Sequence, residues 1–363
     1  MVATAKKTVK RAARRKKQLS PLEKVKAWLA NVWRGITTRR KNFLARRPHR
    51  SFRRTRRRDY TRSLVAPGYI SFTVEVGRML RTHWRLFLLL TLVYAAIMVL
   101  LGAITSQDVY ATITELFSGA GTDVAEGGIG AFAEAALVTL ATFASGGSNL
   151  TAEQSVYLGF TLMFSWLATV WLLRELLLGR RPKLRDGLYN SGAPILSTVG
   201  VLVVMAIQAI PVGIVMLAYA ALSAIGFIDD GFGAMLFWLF ASVVVAMVLY
   251  WLTSTLLALV VVTIPGMYPL RAVRVAGDLV VGRRLRILLR LLWGALLAAI
   301  TWSLLLIVSV LLDNLLRAAL PNLSGFSAVP YISAVASAAA MVWFAAYVYL
   351  FYRKVVDDDA KPA

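Results

Sequence analysis

A chain of 363 residues has room for two ordinary domains, but 58% hydrophobic residues and a mean hydropathy of +0.67 make it too apolar for a soluble one. Lys and Arg number 41 against 18 Asp and Glu, and there is no cysteine, which excludes disulfides, thiolate metal sites and a cysteine nucleophile. The charge is concentrated at one end: residues 1–85 hold 26 of the 41 basic side chains against Glu23, Asp59 and Glu75, so this segment alone carries the +23 of the whole chain. Such a density points to an anionic partner, either acidic lipid headgroups or nucleic acid.

The first predicted element begins at Ser20, Pro21, Leu22 and Glu23, a capping box with proline at the first helical position. Leu22, Val25, Trp28, Leu29, Val32 and Trp33 then recur at helical spacing, while Lys24, Lys26 and Arg34 take the other faces. An amphipathic helix near residues 20–37 with Trp28 and Trp33 as interface anchors suits the headgroup layer of an acidic membrane, or it packs on the protein's own cytoplasmic loops. Next come Arg39, Arg40, Lys41, Arg46, Arg47, Arg50, Arg53, Arg54, Arg56, Arg57 and Arg58, interspersed with Phe43, Phe52 and Tyr60. This run is too charged to fold alone and resembles ligands of anionic surfaces, so lipid, RNA, DNA and the ribosome all fit. A tail tethered beside a bilayer meets anionic lipid at high effective concentration, each cation being worth roughly 1 kcal/mol near the surface, which makes lipid the default partner and nucleic acid or the ribosome the alternative. Residues 1–63 are therefore expected to be a basic cytoplasmic tail, partly without fixed structure.

After Pro67 and Gly68, Phe72, Val76, Leu80 and Trp84 mark a second amphipathic stretch, an elbow helix lying along the membrane with Trp84 as a further anchor. A spanning helix needs about 20 apolar residues, because roughly 30 Å of hydrocarbon is crossed at 1.5 Å per residue. Six segments qualify: Leu86 to Ile104, Ser155 to Leu173, Pro194 to Leu222, Ala234 to Ile264, Leu291 to Leu312, and Tyr331 to Tyr352. In the third, Gln208 and Pro211 fall near the middle, where proline kinks a helix and a polar side chain could line a solute path. The shorter apolar segment 131–144 contains Glu134 and reads as an interfacial or re-entrant helix.

Lys and Arg collect in short cytoplasmic loops. With the N-terminus inside and six crossings, the basic clusters at Arg174 to Arg185, Arg271 to Arg290 and beyond Arg353 all lie inside, and only Arg317 remains outside. The expected fold is thus an all-α integral membrane protein of about six transmembrane helices over residues 64–354, with interfacial amphipathic helices, both termini cytoplasmic, and a short C-terminal tail at 355–363. That architecture places it in the cell membrane, and a bacterial plasma membrane fits.

Before the fifth span, Pro269 opens a short helix in which Ala272, Val275, Ala276, Leu279 and Val280 share one face, Gly282 ends it, and Arg283, Arg284, Arg286 and Arg290 are read as anchors of the next span. This layout, with the run from Pro269 through Arg271, Arg274 and Asp278 to Arg283 and Arg284, resembles the six-helix membrane domain that precedes glycerophosphoryl diester phosphodiesterases in some bacteria, and its stand-alone relatives. The resembling unit covers roughly residues 68–354. In that family the membrane domain is not the hydrolase, and the catalytic barrel with its metal-binding His and Glu residues has no counterpart here, so the resemblance implies no phosphodiesterase activity.

Only His49 and His83 occur, so no histidine pair has metal-ligand spacing, and neither a metal site nor a cofactor is expected. The six spans hold essentially no ionisable group between their ends, which argues against ion-coupled transport. Gln208, Thr253, Ser254, Thr255 and Thr301 are read mainly as helix-to-helix or helix-to-backbone hydrogen bonders. Small residues four apart, Gly294 with Ala298 and Ala336 with Ala340 among them, predict close helix packing within one chain or between copies. The functional expectation is a non-enzymatic scaffold or envelope-associated factor whose tail binds anionic lipid. The alternatives are a transporter or permease subunit, and a tether for nucleic acid or ribosomes.

Overall fold

The computed structural model describes residues 33–35, 37–38, 64, 67–102, 152–227, 231–319 and 328–359. The chain divides into two units, Met1–Thr61 and Arg62–Ala363. In the first, Trp33, Arg34, Gly35, Thr37 and Thr38 are helical and exposed, and Thr37 Oγ1 donates to the Trp33 carbonyl at 2.9 Å. Trp28, the arginine run from Arg39 to Arg58, the segment 131–144 and the end of the C-terminal tail lie outside the described residues.

Every regular element described in the second unit is helical: α1 Tyr69–Thr82, α2 Trp84–Gly102, α3 Ala152–Leu177, α4 Leu184–Asn190, α5 Ile195–Ala224, α6 Gly231–Val261, α7 Pro269–Val280, α8 Arg284–Ala319 and α9 Val329–Asp359. Five of them, α3, α5, α6, α8 and α9, are long and apolar enough to cross a bilayer alone. The number rises to six when α1 and α2, joined through a bend of 88°, are taken together as one span, the 19 residues of α2 reaching about 28 Å at 1.5 Å each. The chain is an all-α polytopic membrane protein.

The short amphipathic helices α1, α4 and α7 gather at one end of the bundle, and contacts between helix ends show it. The Arg174 side chain near the end of α3 donates through Nη1 to the carbonyl of Thr263, just past α6, at 2.9 Å. Arg283 before α8 reaches the carbonyl of Val355 near the end of α9 at 3.3 Å. A Cβ on Gly200, in the second turn of α5, would stand 2.7 Å from Cγ of Pro269, the residue that opens α7. Gly187 of α4 comes equally close to Leu172 of α3. We call this the basic end.

The main core lies there too. In α7, Ala272, Ala276 and Val280 recur every four residues on one face and are fully buried against α5, α6 and α9. Gly282, with φ of 79°, then turns the chain into α8. α9 is the central helix, touching α1, α2, α3, α6, α7 and α8. Of the apolar windows of α3 and α9, 56% is buried inside the bundle, against 11% for α5 and 22% for α8, so the bundle leaves most of the apolar surface of the latter two uncovered.

Most spans fall near their expected places, but α8 starts seven residues before the expected Leu291, at Arg284. The arginines read as anchors of this span are the reason. Arg283 is 3% exposed, its Nε donating to the Leu279 carbonyl at the end of α7 while its guanidinium also meets the end of α9. Arg284 sits 4.5 Å over the ring of Tyr250 and 3.5 Å from Ser254 Oγ, and Arg290 sits 4.7 Å over Tyr69. Helix C-termini expose unpaired carbonyls and partial negative charge, and aromatic faces attract guanidinium, so these cations are held by the protein and the helix can begin among them.

Candidate functional site

The elbow formed by α1 and α2 positions the most distinctive surface of the bundle. α1 begins after Gly68, with Phe72 N–H bonded to the Gly68 carbonyl at 2.9 Å, and ends at His83, whose carbonyl accepts the N–H groups of Leu86 and Phe87 in the first turn of α2. One stripe of α1 docks on the paired helices α8 and α9. Phe72, fully buried, meets Tyr347 edge-on at 4.9 Å between ring centres and Phe351 at 5.9 Å. Trp293 Nε1 donates to Thr73 Oγ1 at 3.3 Å, its ring standing 5.8 Å from that of Tyr69. Lys354 and Glu75 form an ion pair of 2.8 Å at the exposed margin. Burying a phenyl ring and ordering this aromatic cluster is worth a few kcal/mol, enough to fix α1 as part of the fold.

The opposite side of α1 is turned outward, where Ile70 and Val74 are exposed together with Arg78 and Arg81. Just beyond, Trp84 is 54% exposed, with the Arg85 guanidinium 5.6 Å from its ring centre. Among the described residues no carboxylate pairs with Arg81 or Arg85.

Between this elbow and the α8–α9 pair lies a cleft of about 420 Å³. Arg81, Trp84 and Phe87 form one wall, Ala298 and Trp302 of α8 a second, and Ala336, Ala340 and Trp343 of α9 the third. Alanines where larger side chains would fill the space are what open it. Two of its polar groups are bonded within the protein, Trp302 Nε1 donating to Ser337 Oγ at 2.9 Å and Thr91 Oγ1 to the Phe87 carbonyl at 2.8 Å, and the rest of the lining is mainly apolar. Arg81 is the one charged lining residue. A second cavity of about 290 Å³ lies between α2, α3 and α4, lined by Tyr94, Tyr157, Phe164 and Ser191.

The remaining sequence-based candidates are placed as follows. Gln208 Oε1 accepts from Thr255 Oγ1 at 2.6 Å, tying α5 to α6, and neither Gln208 nor Pro211 lines either cavity. α5 runs on through Pro211. Thr253 and Ser254 bond the backbone of their own helix, whereas Thr301 faces the cleft. Gly294 receives Tyr347, so the small-residue pattern serves α8–α9 packing at that point, while Ala298, Ala336 and Ala340 open the cleft. Arg81 escapes a sequence reading, because nothing in its immediate context separates it from the other arginines before α2. Outward cations at the basic end also include Arg180, Arg181, Lys183, Arg185, Arg271, Arg274, Arg286 and Arg353. No group of His, Asp or Glu able to hold a metal ion occurs among the described residues.

No protein-family model, no curated protein and no solved structure matches the chain.

Proposed function

We propose that this polytopic protein is a non-enzymatic membrane scaffold, oriented with its basic end and both termini in the cytoplasm, whose arginine-rich tail engages the anionic headgroups of the inner leaflet. One observation carries the reading: cations not used as helix caps or ring partners face outward at the end of the bundle where α1 begins, and the chain preceding α1 adds most of the remaining positive charge. Lys and Arg resist translocation, which supports assigning that end to the cytoplasm. Anionic lipid lies within reach of such a tail at all times, and each cation contributes about 1 kcal/mol near the surface. The resemblance of the layout around Pro269 to Arg284 to the membrane domain of glycerophosphoryl diester phosphodiesterases supports a membrane role separate from catalysis.

The test uses full-length protein in neutral nanodiscs and measures docking of vesicles containing phosphatidylglycerol. Docking should fall steeply with added salt and disappear on deletion of residues 1–63. Docking that survives the deletion would contradict the proposal, and RNA captured in preference to anionic vesicles at equal salt would replace it with nucleic-acid tethering.

A further inference from the structure

We propose that the cleft between the elbow, α8 and α9 is a binding site for a single anionic glycerophospholipid, with an acyl chain between the alanine-lined helices and the phosphate on Arg81. The inference rests on the reading above only in assigning the headgroup to the inner leaflet.

Depth is the first argument. α1 meets α2 at 88°, so with α2 crossing the bilayer α1 lies near its plane, and Trp84 at the corner marks the interface. α1 touches Arg290 and Trp293 on α8 and Tyr347 on α9. The cleft residues lie one to three turns farther along each helix, from Leu297 to Leu305 on α8 and from Trp343 back to Ala336 on α9. At 1.5 Å per residue the cleft therefore begins about 6 Å from the level of α1 and reaches about 16–18 Å from it, well into hydrocarbon.

Chemistry is the second argument. With Leu297, Ala298, Leu305, Ala336 and Ala340 in the lining, and the Trp302 indole and Thr91 hydroxyl bonded within the protein, the deep part of the cleft favours an apolar occupant, and the mouth offers Arg81. A phosphate there gains charge-assisted hydrogen bonds from the Arg81 guanidinium, which pairs with no carboxylate among the described residues. No carboxylate among the described residues pairs with Arg81 or lines the cleft, so an ammonium headgroup finds no partner among them, which selects an anionic lipid over a zwitterionic one.

Full-length protein purified in mild detergent is titrated with phosphatidylglycerol and, separately, phosphatidylethanolamine, and bound lipid is counted by native mass spectrometry. One phosphatidylglycerol per chain should be retained in preference to phosphatidylethanolamine. Arg81→Gln, an exposed change that leaves the packing alone, should weaken phosphatidylglycerol retention about fivefold and erase the preference. Ala340→Phe should fill the cleft and abolish retention of both lipids. Equal retention of the two lipids by the natural protein, or retention unaffected by Arg81→Gln, would overturn the proposal. So would an Ala340→Phe variant whose only change is dissociation of a dimer, since the occupant would then be a second copy. Deleting residues 1–63 should leave this lipid bound, so loss of vesicle docking with retained lipid, or the reverse, separates the failure of one proposal from that of the other.

Discussion

The closeness of α8 and α9 at Gly294 makes a prediction whose sign is set by competing terms. A Cβ built on Gly294 stands 2.6 Å from Cε1 and 2.7 Å from Cδ1 of Tyr347. That ring is held in place, for its hydroxyl donates to the Arg290 carbonyl at 3.0 Å, Phe72 abuts it at 4.9 Å and Trp343 stacks on it at 5.4 Å. Overpacking of this kind costs about 1–3 kcal/mol, whereas replacing Gly by Ala inside a helix gains about 0.8–1.0 kcal/mol. Gly294→Ala should therefore be neutral to destabilising by about 2 kcal/mol, the residual of those opposing terms. In α7, a Cβ on Gly277 meets nothing within 4 Å, so Gly277→Ala keeps only the favourable term. The propensity gain is common to both variants, and the gap between them isolates the steric cost. Unfolding in mixed micelles at increasing dodecyl sulfate, followed by tryptophan fluorescence, gives both values. Adding Tyr347→Leu to Gly294→Ala should recover part of the loss, with a coupling of at least about 1 kcal/mol. The reasoning fails if Gly294→Ala stabilises as much as Gly277→Ala, or if the two sites do not couple.

Two further perturbations follow. Arg283→Ala strips a buried cation from the carbonyls of Leu279 and Val355 and should cost about 2–4 kcal/mol in the same unfolding assay, while Arg286→Ala, at an exposed position, should stay within about 0.5 kcal/mol. Equal effects would show that Arg283 is not a cap. Thr255→Val removes the hydrogen bond to Gln208 and should destabilise by about 0.6–2 kcal/mol without creating or abolishing solute flux in proteoliposomes. Flux that depends on Gln208 would instead favour a permease.

How far the sequence carried depends on which property was in question. The spans were legible because backbone satisfaction in hydrocarbon demands long apolar helices. α7 was legible because Pro269, the four-residue recurrence of Ala272, Ala276 and Val280, and Gly282 are local signals. What escaped was pairwise. Arg283, Arg284 and Arg290 look in sequence like any interfacial arginines, and only the neighbouring helix ends and rings of Tyr250 and Tyr69 turn them inward. Gln208 was read mainly as a hydrogen bonder between helices and is one, but its partner, Thr255, 47 residues away, was not legible. Alanines 336 and 340 carry the same small-residue signature as Gly294, yet one feature seats an aromatic ring and the other leaves a cleft, a difference set by what the facing helix supplies.

The orientation that underlies the functional proposal can be read directly, because a chain without cysteine gives no background to thiol labelling. Lys183→Cys places a thiol at an exposed position of the basic end, and Ser223→Cys at an exposed position near the far end of α5. In intact cells a membrane-impermeant maleimide should label Ser223→Cys at once and Lys183→Cys only after lysis. Labelling of Lys183→Cys from outside would put the arginines on the wrong side of the membrane and end the proposal that they meet the inner leaflet.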